Sequence, residues 1–254
     1  MALTLEPEIR RCDLTAVLLE LKCLDFEINE FDFMDRPDEE AGQYIEINFL
    51  RHTPSDNITV HSGLTTLSIL GAIDKHQNLT DVGRKMAILP LDPKFSRSIL
   101  ASGELGCSRE VVDLVSVLST PSRLFLDIPN DDTNRVGPQE KFKHPSGDHF
   151  TTLNAFRAYQ EMVSSGTNGE AKGWCARNFL NERTLSEAME IRSQLRGICK
   201  RIGVDADLSC GGQVQPILHC LVLGLIQNTA FIQPNGFYKQ VMGPSVCLAF
   251  GWAG

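Results

Sequence analysis

The chain has 254 residues, 42% of them hydrophobic, and 32 acidic against 24 basic side chains give it a formal net charge of −8. That composition is ordinary for a globular protein of one to three domains. Its longest apolar run, Ile217 to Ile226, is about half of the roughly 20 residues that a membrane-crossing helix needs, and acidic residues from Glu6 onward are unlike a secretory leader, so the chain is expected to remain inside the cell.

In chain order, Leu14, Val17, Leu18, Leu21 and Leu24 have the spacing of an amphipathic helix over Cys12 to Leu24, with Asp13 as its cap. Pro37 ends that pattern and suggests a domain boundary. Leu64 to Ile73 predicts a short helix, Asp74 to Asn78 a polar turn, and Thr80 a cap for a helix over Asp81 to Ile88 that Pro90 stops. This rhythm fits a winged helix or a plain helical hairpin.

Helical spacing then recurs over Phe95 to Leu105, Ser108 to Leu118, His149 to Val163, Gly173 to Leu180 and Leu185 to Ile202. Ser108 and Thr184 are the expected caps of two of these helices. Gln213 to Asn228 predicts a nearly all-apolar, buried helix. After it the period changes to two, and Pro234-Asn235-Gly236 between apolar segments predicts a β-hairpin, because Asn-Gly tolerates the positive φ of such a turn.

The eight cysteines, at 12, 23, 107, 175, 199, 210, 220 and 247, have no zinc-type spacing. His219 and Cys220 with Cys210 come nearest to a ligand set, but helix neighbours point to different faces, so core packing is the expectation. No phosphate-binding glycine loop, nucleophile elbow or metalloprotease helix is present. Asp38-Glu39-Glu40-Ala41 lacks the apolar strand that a magnesium-holding acidic motif follows, and reads as an exposed turn. Asp148-His149 reads as a helix cap followed by a surface histidine.

The charge is unevenly spread. Residues 1–46 hold thirteen acids and four bases, whereas residues 135–201 hold seven acids and eleven bases. The local excess in the second stretch fits a solvated helical surface or a phosphate-binding face.

Several segments, taken in order, resemble the C-terminal half of the DEAH-box RNA helicases of splicing and ribosome biogenesis. They are Glu6 to Arg10, Leu18 to Lys22 and Phe31 to Pro37; Leu70 to Asp74, Leu79 to Met86 and Pro90 to Lys94; Cys107 to Ser119, Gly147 to Asn154, Trp174 to Asn181 and Ile191 to Leu195. The resemblance implies a mainly α chain with small β elements. In it, residues 1–36 end the second RecA-like motor domain and 37–92 form a winged helix with an atypical insert at 42–62. Residues 93–228 form the helicase-associated, ratchet-like bundle, and 229–254 start a truncated OB-fold.

In that family the bundle and OB-fold close one wall of an RNA tunnel. The implied partners are therefore single-stranded RNA, the helicase motor domains and, through a complete OB-fold, G-patch proteins, with no membrane. Lys141, Lys143, Arg183, Arg192 and Arg196 are the implied RNA contacts, and charge reversal at Arg183 and Arg192 is expected to abolish binding without harm to the fold. Pairing of these arginines with Glu182, Glu187 and Glu190 along the same helix is the competing expectation. No cofactor is expected in this chain, since ATP and magnesium belong to the motor domains, and the chain alone is not expected to hydrolyse ATP. Insert 42–62 is expected to pack poorly. Two other readings are a full ATP-dependent RNA helicase of rRNA processing or pre-mRNA splicing, and a pure interaction scaffold. Arg192 to Cys199 is closest to the ribosome-biogenesis members, which suggests a nuclear, and specifically nucleolar, location.

Overall fold

The computed structural model describes residues 13–26, 60–126, 140–165, 171–234, 236–241 and 246–247. The described chain is mostly helical, followed by a small antiparallel sheet. It divides into two compact units. Residues 1–100 together with 221–254 make the first, and residues 101–220 the second.

In the first unit, α1 (Thr15–Cys23) packs on α2 (Val60–Ile69) and α3 (Asp81–Ile88). Leu18, Leu67 and Met86, all fully buried, form the centre of its core. The cap of α1 departs from expectation. Leu14 occupies the cap position, while Asp13, one residue earlier, accepts from the Thr15 N–H at 2.9 Å and also from the Thr15 hydroxyl. Helix α2 starts earlier than expected, at Val60, so the last residues of the expected insert, Val60 to Ser62, are its first turn. Residues 42–59 lie outside the described residues.

The polar turn after α2 forms as the sequence suggests. Gly71 takes φ +72°, and the Ala72 N–H bonds to the Leu67 carbonyl at 2.8 Å while the Gly71 N–H bonds to Ser68 at 3.0 Å, the two bonds of a Schellman ending. Asp74 then accepts from the N–H groups of His76 and Asn78 at 2.8 and 2.9 Å. A single bridge, Ile73 to Leu79, makes the strand-like edge, and Thr80 caps α3 by accepting from the Gly83 N–H at 3.0 Å. The same hydroxyl donates to Gly71 at 2.7 Å. Thr80→Ala should therefore cost about 1 kcal/mol, and up to about 2, in a urea titration, with Thr80→Ser close to the parent. Equal midpoints for Thr80→Ala and the parent would show that the cap is idle.

Helix α4 (Pro93–Glu104) begins with proline in its first turn, where no N–H partner is lost, and Asp92 accepts from the Lys94 N–H at 2.8 Å. In the second unit, α5 (Ser108–Leu118) is the central element, with nine of its residues from Ser108 to Val117 buried. It packs against α6 (Asp148–Ser164) and α8 (Glu182–Arg201). The short α7 (Ala171–Arg177) brings Cys175 and Trp174 onto a cluster built around Phe156, Tyr159, Leu180 and Leu185.

Three cap expectations are corrected. Cys107, not Ser108, is the cap position of α5 and makes no side-chain bond there. Asp148 is the first residue of α6, after Gly147 at φ +111°. Asn181 caps α8 by accepting from the Thr184 N–H at 3.4 Å, so that helix starts three residues before the expected Leu185, and Thr184 is buried inside it.

Helix α9 (Val214–Leu225) runs on into a 3-10 turn at Ile226–Asn228. It is not buried all round: Ile217, Cys220 and Leu221 face inward, but Val222 and Leu223 are exposed. An apolar run shows no polar stripe to reveal an open face. Strands β1 (Ala230–Ile232), β2 (Tyr238–Gln240) and β3 (Val246–Cys247) pair antiparallel, with Ile232 opposite Tyr238. The expected hairpin is present. Gly236 at φ +80° closes its turn with a 2.9 Å bond to the Gln233 carbonyl. No described helix is long and apolar enough to cross a membrane.

Candidate nucleic-acid interface

The five cations expected to meet phosphate all lie in the unit of residues 101–220, but they are not equivalent. Arg192 reaches from α8 across to α5, where its Nε bonds the Asp113 carboxylate. The Asp113 side chain is 3% exposed and that of Arg192 24%, so the guanidinium neutralises a buried charge. Gln160 of α6 also donates to Asp113, at 3.5 Å. The expected partners within α8 are not used, because the carboxylate that most needs a cation is the one removed from water.

A second pair of the same kind lies one helical turn away on α5. Glu110, only 1% exposed, accepts from Arg157 of α6 at 2.9 Å, from the Ser209 hydroxyl at 2.6 Å and from the Cys210 N–H at 3.4 Å. Burial pushes the Glu110 carboxyl up, but these donors outweigh it and hold it below the usual carboxylate range. Its contribution to stability is thus complete above the unfolded carboxylate range and is lost as pH falls through the lower, folded value.

The other candidates are placed as follows. Arg196 bonds Asp207 at 2.6 Å and the Ala206 carbonyl at 3.3 Å, tying α8 to the loop before α9. Lys143 pairs with Glu140 at 2.9 Å in an exposed contact of the kind that contributes little. Lys141 donates to Asn178 Oδ1 at 2.6 Å and lies 5.9 Å from the Phe142 ring centroid. Arg183 is exposed. Among the described residues, the side chains of Arg183, Arg123, Lys172, Arg177, Lys200 and Arg201 are exposed and carry no hydrogen bond or ion pair.

Two features were missed in the sequence. Glu110 and Asp113, i and i+3 on the otherwise apolar SREVVDLVSVL helix, are anchors for cations from neighbouring helices; two acids on the inward face of such a helix are the signal. Arg123 lies outside the 135–201 stretch of excess positive charge. Cys175 and Cys199 are buried thiols, both pushed up to about 11, chiefly by desolvation, and so are poor nucleophiles. No group of three metal-ligating side chains occurs among the described residues.

Comparison with known proteins gives two matches to family models. Residues 63–91 match the winged-helix part of the helicase associated domain (HA2), and residues 92–152 its ratchet-like part. The chain is 34% identical over 236 residues to ATP-dependent RNA helicase DHX33 of Homo sapiens, covering 91% of this chain and 30% of that protein. The DHX33 proteins of Mus musculus and Drosophila melanogaster are 33% and 32% identical, over 91% and 94% of this chain and 30% and 31% of theirs. The chain thus spans about 30% of the length of the curated relatives it matches.

Proposed function

Because this chain belongs to the DEAH-box RNA helicases and carries the accessory region made of their helicase-associated winged helix and ratchet-like domain, we propose that it guides single-stranded RNA past the motor domains of such an enzyme and does not itself hydrolyse ATP. The observation that carries this reading is the unequal use of cations on the unit of residues 101–220. Arg157, Arg192 and Arg196 are spent on carboxylates of the fold, while Arg183 and its exposed neighbours remain open to a phosphate chain. A guanidinium can fork onto phosphate or stack on a base, and both modes are indifferent to sequence. With a net charge of −8 for the whole chain, only this local field attracts RNA, so binding is weak and strongly salt-dependent.

In this proposal the motor domains supply ATP and magnesium chemistry, the OB-fold that would continue from the terminal hairpin receives G-patch proteins, and the process served is rRNA maturation or pre-mRNA splicing in the nucleus. Photo-crosslinking of 4-thiouridine-labelled single-stranded RNA to the purified chain tests the RNA reading. Cross-linked peptides are expected from residues 123–126 and 140–201, with no RNA-stimulated ATP turnover in the same preparation. Cross-links confined to other segments would move the RNA contact off these residues, and none at all would favour an interaction scaffold.

A further inference from the structure

We infer that the corner where α7 turns into α8 is the phosphate-binding site of this unit, formed by Arg123, Arg177 and Arg183 with Lys141 beside them, and that it takes the backbone of single-stranded RNA. This rests on the RNA-guiding reading above and assigns that function to a place.

The backbone brings these residues together from three parts of the chain. Helix α7 ends at Arg177, and its last turn closes with bonds from the Leu180 N–H to Cys175 at 2.9 Å and from the Phe179 N–H to Ala176 at 3.3 Å. Phe179 thereby takes φ +52°, a left-handed position that glycine usually fills. It is held there because the segment after Arg123 pairs with it. Leu126 donates to the Phe179 carbonyl at 2.9 Å, and Asn181 donates to the Leu124 carbonyl at 2.8 Å. The carbonyl of Arg123 itself accepts from Asn181 Nδ2 and from Thr184 Oγ1, both at 3.4 Å. Arg123 therefore sits against the first turn of α8, the turn that carries Arg183.

Lys141 joins the same corner through Asn178, the residue after Arg177. Asn178 is buried and donates to the Trp174 carbonyl at 2.8 Å, which fixes the place where the lysine lands. Glu182 is the acid within this turn. Its charge is felt by Tyr159 and Cys175, groups raised first by burial and then by their charged neighbours.

The corner is rigid where it must be and open where it must be. Its backbone is held by six hydrogen bonds, four between backbone groups and two from the Asn181 and Thr184 side chains, while the three guanidiniums are exposed and unengaged among the described residues. Cations carried on a fixed backbone lose less freedom on meeting a phosphate chain than cations on a flexible loop would. The contrast lies at the other end of α8. Lys200 and Arg201 are just as exposed and unengaged, yet they sit about 26 Å away at roughly 1.5 Å per residue, with no convergence of chain segments around them.

The test measures binding of fluorescein-labelled oligouridylate to the full chain by anisotropy over a range of salt, for the parent, R123Q/R177Q/R183Q and K200Q/R201Q. The triple variant should keep the parent melting temperature, bind at least tenfold more weakly at low salt, and lose about 2 from the slope of log affinity against log salt, at about 0.7 per phosphate contact in a single strand. K200Q/R201Q should stay within about twofold of the parent. If the parent binds and the triple variant binds like it, the corner is overturned while the RNA-guiding reading stands. Equal losses per charge in both variants would likewise overturn it, by showing a diffuse field. Competition by polyglutamate as effective as by unlabelled oligouridylate would make it a surface for acidic protein segments. If the parent binds no RNA at any salt, the reading on which the corner rests falls with it.

Discussion

Replacing Arg192 with alanine is expected to destabilise the chain by about 3–5 kcal/mol, the cost of leaving a buried carboxylate without its cation. Asp113 is 3% exposed and lies on α5, the most buried helix of its unit, and its remaining donor among the described contacts is Gln160 at 3.5 Å. A neutral amide at that distance does little for a desolvated charge. At about 2–4 °C per kcal/mol for a chain of this size the loss corresponds to a fall of about 6–20 °C in Tm, read by circular dichroism.

The double variant D113L/R192M separates the pair from its surroundings. Replacing a buried ion pair with apolar side chains of similar volume is often neutral or stabilising, so the double variant should recover most of the lost stability. If R192A melts within about 2 °C of the parent, the pair contributes no more than an exposed one and Arg192 returns as a phosphate contact. Charge reversal at Arg192 therefore does not isolate RNA binding from folding. A glutamate at 192 would face Asp113, and loss of RNA binding in that variant would report a damaged fold.

What the sequence shows of this molecule follows from the range of the interactions concerned. Helix positions follow from apolar spacing, which is local, and the predicted Asp81 to Ile88 helix with its Thr80 cap matches α3 residue for residue. The hairpin whose turn Gly236 closes is legible for the same reason, since a turn depends on a few adjacent φ angles. The partner of Arg192 is not local. Along a helix only residues three and four apart can be examined from sequence, which points to carboxylates within α8, whereas Asp113 is 79 residues away. Arg123 was hidden by the same limit: its carbonyl meets the start of α8 through hydrogen bonds from Asn181 and Thr184 spanning 58 and 61 residues, and a charge count over one window cannot include it. Of the five expected contacts, Arg183 and Lys141 lie at the α7–α8 corner, whereas Arg192 and Arg196 are tied to acids that only the fold brings near.

Glycine substitutions in two helices should change stability in opposite directions. Helix propensity alone favours alanine over glycine by up to about 1 kcal/mol at an interior helical position. At Gly197 in α8 no other atom lies within 4 Å of where a methyl group would stand, so Gly197→Ala should raise stability by about 0.5–1 kcal/mol. Gly224 in α9 has the same propensity and the opposite surroundings. A methyl group there would overlap both the Lys94 carbonyl oxygen and the Ser98 hydroxyl of α4. Ser98 is fully buried and already hydrogen-bonded back to that carbonyl at 3.2 Å. The Lys94 carbonyl is part of the helix backbone and cannot rotate away, so relief requires the two helices to separate and vacate packed space. Overpacking typically costs 1–3 kcal/mol, and a clash with backbone belongs at the upper end, so Gly224→Ala should lose about 3 kcal/mol despite its better propensity. Paired urea titrations of the two variants decide the matter, with midpoints expected to move apart on either side of the parent. A Gly224→Ala midpoint at or above that of the parent would mean that α4 and α9 do not meet backbone to backbone at this glycine.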